Sequence, residues 1–432
     1  MPAAAPAAAD RISAAPLSAA EFAAAMAALG PYPADRRVAV AVSGGADSLA
    51  LALLAAGWGQ PRALIVDHRL RPGSGAEAET AAARLAARGI AARVLRLGGL
   101  APGPALPERA RRARYAALGA ACREAGLAHL LVGHHAGDQA ETVLMRKRRG
   151  SGARGLAGMG AVSAHHDLCI LRPLLGAAPA RLRATLRAAS LPWAEDPTNT
   201  DHHFLRPRLR VELAASDPAP LLAAAADAGG ARAAEDAVIA TTIAAWAALH
   251  PAGFALLPPG PIAPAVLATL IQTVSGTAYP PRADAVAACG AAPRAMTLGG
   301  ARLLPAGRLG AGWLLVREAA AMAPPVAAAR GAVWDGRFAL ASDSSPPPCS
   351  MIGALGSAAA GLRRASPLPA AVLATLPALW HGERLIAVPH LLWPDAAACA
   401  GVAFGWQPAR PAAAGAFLPP TRGCGTLLHA LC

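Results

Sequence analysis

The chain has 432 residues, 55% hydrophobic and only 15% charged, and its Lys and Arg outnumber Asp and Glu by 40 to 26, a formal net charge of +14. That excess suits RNA, DNA or an anionic surface, and arginine-rich codon usage would leave the same balance. Seven scattered cysteines without a CxxC argue against a disulfide framework, a zinc site and a persulfide-carrying thiolase, and no run of about 18 apolar residues lacks charge or proline, so no membrane span is expected and the cytoplasm is the default compartment.

Residues 1–34 read as a low-complexity lead with one amphipathic helix around 19–29, and without a basic n-region they do not form a signal peptide. Residues 37–54, RVAVAVSGGADSLALALL, follow. Val38, Val40 and Val42 alternate with small residues as in a buried parallel strand, and Leu49 begins a helix. Between them lie Ser43, Gly44, Gly45, Ala46, Asp47 and Ser48. A strand, a glycine loop and a helix N-terminus aim unpaired N–H groups and the helix dipole at one spot, which makes an anion site. The two glycines allow close approach, the serines offer hydroxyls, and Asp47 can hold Mg²⁺. With neither a lysine in the loop nor a GxGxxG spacing, this is neither a Walker loop nor a dinucleotide fingerprint. A second strand over 62–67 ends in the charged turn Asp67, His68, Arg69, where open α/β sheets bind ligands. A helix over 76–89 and a third strand over 91–97 then predict a doubly wound parallel sheet.

The helix over 107–125 is arginine-rich, and Arg111 and Arg114 share one face, turned either to a phosphate or to solvent. The strand 130–132 delivers His134 and His135, and the helix after it opens with Asp138 and Glu141. His134 and Asp138 lie one turn apart, either as a metal pair or as a loop histidine beside a helix cap. Arg146, Lys147, Arg148, Arg149 and Arg154 surround a glycine-rich loop of the kind that meets RNA phosphates. A helix over 179–189, a capped turn at 193–199 and the cations Arg206, Arg208 and Arg210 complete this part.

Residues 216–328 read as a helical domain, with helices at 221–228, 232–249 and 264–274. Residues 329–432 read as a small α+β domain with a strand pair at 333–340, a hairpin at 380–389 and a Pro/Gly/Ala-rich tail. The aromatics of that domain are expected in its core.

Six blocks in one order, SGGADS, DHRLRP, ARRARY, HHAGDQAET, RGSGARGLAGM and WAEDPTN, resemble the tRNA(Ile)-lysidine synthetase family of PP-loop ATP pyrophosphatases, over roughly 175 residues. The resemblance implies a PP-loop catalytic domain over 35–215 that uses ATP and Mg²⁺. The O2 of the wobble cytidine in a CAU-anticodon tRNA(Ile) is adenylated, and the ε-amine of L-lysine then displaces AMP. By resemblance residues 43–48 cradle the phosphates, Asp47 and Asp138 hold the metal, Arg111, Arg114 and His134 serve the reaction, His135 contacts ATP or the base, and the cations at 146–149, 154, 206, 208 and 210 meet tRNA. Oligomeric state is open, a homodimer included. Three departures stand out: Gly137 where relatives carry an acid or amide, Lys147 and Arg148 where they carry apolar residues, and Pro207 between arginines. A thiolating relative would need cysteines in the matched blocks, an amidotransferase-linked synthetase would need a glutaminase segment, and a non-catalytic RNA binder would have lost Asp47 or Ser48.

Overall fold

The computed structural model describes residues 14–98, 102–165, 168–194, 205–214, 216–277, 279–341, 343–412 and 417–418. The chain divides into two compact units, residues 1–234 with 417–432, and residues 235–416. The first unit contains α1 (Ala19–Ala27), β1 (Arg37–Val42), α2 (Ala46–Trp58), β2 (Gln60–Asp67), α3 (Ser74–Ala86), β3 (Ala91–Arg96), α4 (Leu106–Glu124) and β4 (His129–Val132). After these come α5 (Ala136–Arg148), the single-turn α6 (Ala153–Leu156), β5 (Val162–His165), β6 (Leu168–Leu171), α7 (Pro179–Ala188) and α8 (Leu205–Ala214).

The strands form one sheet in the order β3-β2-β1-β4-β6-β5, parallel except for β5, which runs antiparallel to β6. Both faces are covered, as a parallel sheet requires. Val38, Val40 and Ile65 pack with Leu49 and Leu51 of α2, while Ala39, Leu64 and Leu130 pack with Leu118 and Cys122 of α4. The chain moves outward from β1 to β3 and then crosses back to β4, so the carboxyl ends of β1 and β4 flank the switch point where such sheets leave a crevice.

The segment before β1 is more than a lead. Ser18 and Glu21 form a capping box on α1, and Phe22 and Met26 are fully buried in the core beside α2. Alanine-rich spacing hid these two anchors. Glu21 also accepts two 2.9 Å hydrogen bonds from Arg181 of α7, and these, with the capping contacts of Ser18, hold its carboxyl well below the usual range, at about 2. A depressed carboxylate stabilises the fold above its unfolded pKa of 4.5, and that contribution is lost as pH falls toward 2. Glu21→Gln is therefore expected to cost about 1–3 kcal/mol at pH 7, with the gap to the parent closing in acid, as urea titrations at a series of pH values would record.

The stretch after the six-stranded sheet departs from the helical reading. Helix α9 (Ala219–Trp246) runs unbroken through Gly229 and Gly230, and Leu249 lies in a strand. Helices α10 (Pro264–Ser275) and α11 (Ala283–Ala291) accompany an antiparallel sheet in the order β7-β8-β11-β10-β9. Its strands are β7 (Ala248–His250), β8 (Phe254–Leu257), β9 (Met296–Leu298), β10 (Ala301–Pro305) and β11 (Trp313–Arg317). Each has only three to five residues, too few for alternation to register.

The expected strand pair and hairpin are present as β13 (Val333–Trp334) with β14 (Phe338–Leu340), and β16 (Pro377–His381) with β17 (Arg384–Ala387). They join β12 (Val326–Ala327), β15 (Met351–Ala354) and β18 (Phe404–Trp406) in two small sheets. Trp334 and Phe338 are fully buried, as core aromatics should be. Within this unit Asp335, at the β13–β14 turn, sits between Arg317 of β11 and Arg337. That buried cluster spans the boundary expected near residue 328. Of the tail, only 408–412 and 417–418 fall among the described residues.

Candidate active site

The loop after β1 is held by its own serines. The Ser43 N–H donates to Ser48 Oγ at 3.1 Å, and Ser48 Oγ donates to the Gly45 carbonyl at 3.0 Å. Gly44 has φ +86°, a left-handed conformation that glycine adopts without strain. Gly45 caps α2 without a side chain, so the first-turn N–H groups stay open toward a ligand. The Ala194 N–H donates to the Gly44 carbonyl at 3.0 Å, which brings the start of the expected capped turn to this loop; residues 195–199 of that turn lie outside the described residues.

The β4–α5 loop closes the other side. A Cβ on Gly133 would stand 3.2 Å from the Asp47 backbone and the Ser48 Cα, so glycine there lets the two loops touch. His135 is the N-cap of α5: its Nδ1 accepts the N–H groups of Gly137 and Asp138 at 3.0 and 3.3 Å, while Asp138 Oδ2 accepts the His135 N–H at 3.1 Å. A Cβ on Gly137 would press on the imidazole at 2.9 Å, a local reason for the absence of a larger residue. With Nδ1 accepting, the proton resides on Nε2, which faces Asp47 Oδ2 at 3.5 Å and Asp138 Oδ2 at 3.7 Å. Burial opposes a charge on this ring, but the hydrogen bond to Asp47 and the two carboxylate charges outweigh it and hold the His135 pKa above its ordinary value. Asp47 and Asp138 thus converge on one N–H.

A cavity of about 760 Å³ opens over these groups, lined by Ser43, Asp47, Ser48, Arg111, Arg114, His134, His135, Glu141, Arg183 and Arg210, among others. Arg111 lies over the Tyr115 ring at 5.2 Å, and Arg114 Nε donates to His68 Nε2 at 3.2 Å. Desolvation, with the Arg114 charge added, pushes the His68 pKa down. Asp67, beneath it, is held low chiefly by the Ser74 hydroxyl at 2.7 Å. His134 accepts from Arg172 Nε at 3.3 Å. The pairing that a linear reading misses is Arg210 of α8, whose Nε donates to Glu141 at 2.6 Å and whose guanidinium stands 3.8 Å from Asp138. Arg210 therefore faces the cavity rather than the basic loop.

The remaining cations divide. Arg146 donates at 2.7 Å to the carbonyls of both Gly155 and Gly158, so it shapes the glycine loop from within. Gln139, fully buried, clamps the same loop by exchanging hydrogen bonds with Met159 at 2.8 and 3.1 Å. Lys147, Arg148, Arg149, Arg154 and Arg208 are exposed, with Arg148 paired to Glu212 at 2.5 Å. Lys147 and Arg148 occupy the last turn of α5, where cations complement the helix dipole. Pro207 lies in the first turn of α8, where its missing N–H costs nothing, and the side chain of Arg206 is outside the described set.

For a cation, Asp47 and Asp138 offer two carboxylates beside the loop that would hold phosphates. No cluster of three or more His, Cys, Asp or Glu able to hold a metal exists among the described residues. Two carboxylates with phosphate and water oxygens fit Mg²⁺ and do not fit a closed zinc cage. No described helix is long and apolar enough to cross a membrane.

Residues 18–216 match the PP-loop domain family. Among curated proteins, the chain is 48% identical over 202 residues to the tRNA(Ile)-lysidine synthase of Bradyrhizobium sp. strain BTAi1, covering 45% of this chain and 56% of that protein. It is 42% identical over 285 residues to the Hyphomonas neptunium tRNA(Ile)-lysidine synthase, 62% of this chain and 77% of the relative. To the Ruegeria pomeroyi tRNA(Ile)-lysidine synthase it is 36% identical over 397 residues, 86% of this chain and 90% of the relative.

Proposed function

The chain belongs to the tRNA(Ile)-lysidine synthase family, and from that premise we propose that it is an ATP-dependent ligase that attaches L-lysine to the wobble cytidine of a CAU-anticodon tRNA(Ile). The observation that carries the reading is the convergence of Asp47 and Asp138 on His135 Nε2 at the mouth of the serine-glycine loop.

In this account the N–H groups of residues 44–48, at the loop and the start of α2, bind the phosphates of ATP, while the Ser43 N–H stays bonded to Ser48 Oγ. Asp47 and Asp138 would hold Mg²⁺, which supplies charge neutralisation when bound. His135, whose Nδ1 is committed to capping α5, orients both carboxylates through Nε2. The cytidine O2 attacks the α-phosphorus, the bond to the β-phosphate breaks, and pyrophosphate leaves. Arg111 and Arg114 line the cavity where charge develops, a largely electrostatic contribution. The ε-amine of lysine, after giving up its proton, then attacks C2, and the C2–O bond breaks with release of AMP. The cavity carboxylate Glu141 can draw the ammonium in, and Arg210 holds that carboxylate in place. The exposed cations Lys147, Arg148, Arg149, Arg154 and Arg208, with the +14 net charge, suit the tRNA backbone.

The cleavage position is tested by supplying ATP labelled at the α-phosphate together with tRNA and lysine. Labelled AMP with unlabelled pyrophosphate is expected, and labelled ADP would overturn the reading.

A further inference from the structure

We propose that Phe417 and Leu418 form a latch that holds the basic glycine loop in its tRNA-binding shape, making Phe417 a positioning residue for the tRNA substrate. The inference rests on the reading of that loop as a tRNA contact. Phe417 is only 8% exposed although the chain around it is rich in proline, glycine and alanine. Its ring packs on Gly160, where an added Cβ would stand 3.1 Å from it, and the Arg232 guanidinium lies 4.3 Å over its centroid. The Leu418 carbonyl accepts the Ala161 N–H at 2.7 Å, immediately before β5, the edge strand of the catalytic sheet.

These contacts meet the basic loop at its exit. Gly158 and Met159 are fixed by Arg146 and Gln139, and Gly160 and Ala161 follow directly. Arg232, sandwiched against Phe417, also donates to the Arg154 carbonyl at 3.4 Å inside the loop. Helix α5 therefore holds the loop from one side and the latch from the other, while Lys147 and Arg148 at the end of α5 and Arg149 and Arg154 after it stay exposed. A loop rich in glycine gains the most from such fixing, because each glycine loses more backbone freedom than any other residue on ordering. The alternative role, a segment that blocks the loop and must leave when tRNA arrives, predicts the opposite sign.

The test compares full-length parent, Phe417→Ala, Phe417→Trp and the loop variant Arg149→Ala/Arg154→Ala. Two readouts are followed: steady-state lysine transfer, and the rate of trypsin cleavage at residues 146–154. Phe417→Ala is expected to raise KM for tRNA about tenfold and speed loop cleavage, with kcat held within about twofold, and Phe417→Trp is expected to restore both by keeping the cation–π contact. Unchanged KM and cleavage in Phe417→Ala overturns the latch, and so does a fall in KM. A loss of kcat that Phe417→Trp does not restore also overturns it, since that is a structural defect. If Arg149→Ala/Arg154→Ala leaves KM for tRNA unchanged while cleavage still depends on Phe417, the tRNA reading of the loop fails separately from the latch.

Discussion

Asp47→Ala is expected to lower AMP formation about 100- to 1000-fold while leaving tRNA affinity within about twofold, as parallel AMP-release and gel-shift assays would record. Asp47 sits in the first turn of α2, directly after the loop that would hold the phosphates, and its carboxylate faces His135 Nε2 at 3.5 Å. Its removal takes away one of two carboxylates for a cation and one of two acceptors for the His135 proton. The fold loses little, because Ser43, Gly45 and Ser48 make the bonds that shape the loop among themselves. The exposed cations proposed to meet tRNA are on other segments. Equal loss of AMP formation and tRNA binding would refute a role for Asp47 confined to the nucleotide.

The largest expected loss of stability comes from Asp335→Asn, about 3–5 kcal/mol in urea midpoints converted to free energy. Asp335 receives Arg317 through two hydrogen bonds at 3.0 and 2.9 Å, Arg337 at 2.7 Å and the Ala323 N–H at 2.9 Å. Arg337 is wholly buried and Arg317 is 6% exposed. Burial opposes the Asp335 charge, but the hydrogen bonds and charges of the two arginines override it and hold the carboxyl below its ordinary value. Burial outweighs the opposing pull of Asp335 and lowers Arg337 to about 10, so the guanidinium stays charged at neutral pH. Asparagine keeps the shape and removes the charge, leaving two buried guanidinium groups uncompensated. The exposed Asp343→Asn is the control and is expected to fall within about 0.5 kcal/mol of the parent. A loss of similar size in both variants would contradict the account.

The catalytic sheet and the phosphate loop were legible in the sequence because their signals are local. A β-branched run, a glycine pair and a leucine-rich helix start lie within eighteen residues, and the order of the charged strand ends follows from the right-handed crossover. What the sequence withheld are partners distant along the chain. Arg210 reads as one of three spaced cations, and only the fold brings it to Glu141. Arg146 reads as part of a basic run, yet its side chain turns inward and donates to the loop carbonyls of Gly155 and Gly158. Gln139 lies within the HHAGDQAET block without showing what it clamps, and Arg172 and Phe417 carried no pattern, because a clamp onto backbone carbonyls or onto a glycine leaves no spacing to find. The alanine-rich composition blurred the second unit, where three-residue strands such as Met296–Leu298 have no room to alternate, and it disguised the two anchors of α1.

The most direct measurement supplies purified protein with ATP, Mg²⁺, radiolabelled lysine and an unmodified tRNA(Ile) transcript with a CAU anticodon, with a methionine tRNA beside it. Label is predicted in the isoleucine tRNA alone, in step with AMP release. AMP and pyrophosphate formed with RNA present but without lysine in the tRNA would contradict the proposed acceptor chemistry and leave only the PP-loop fold standing.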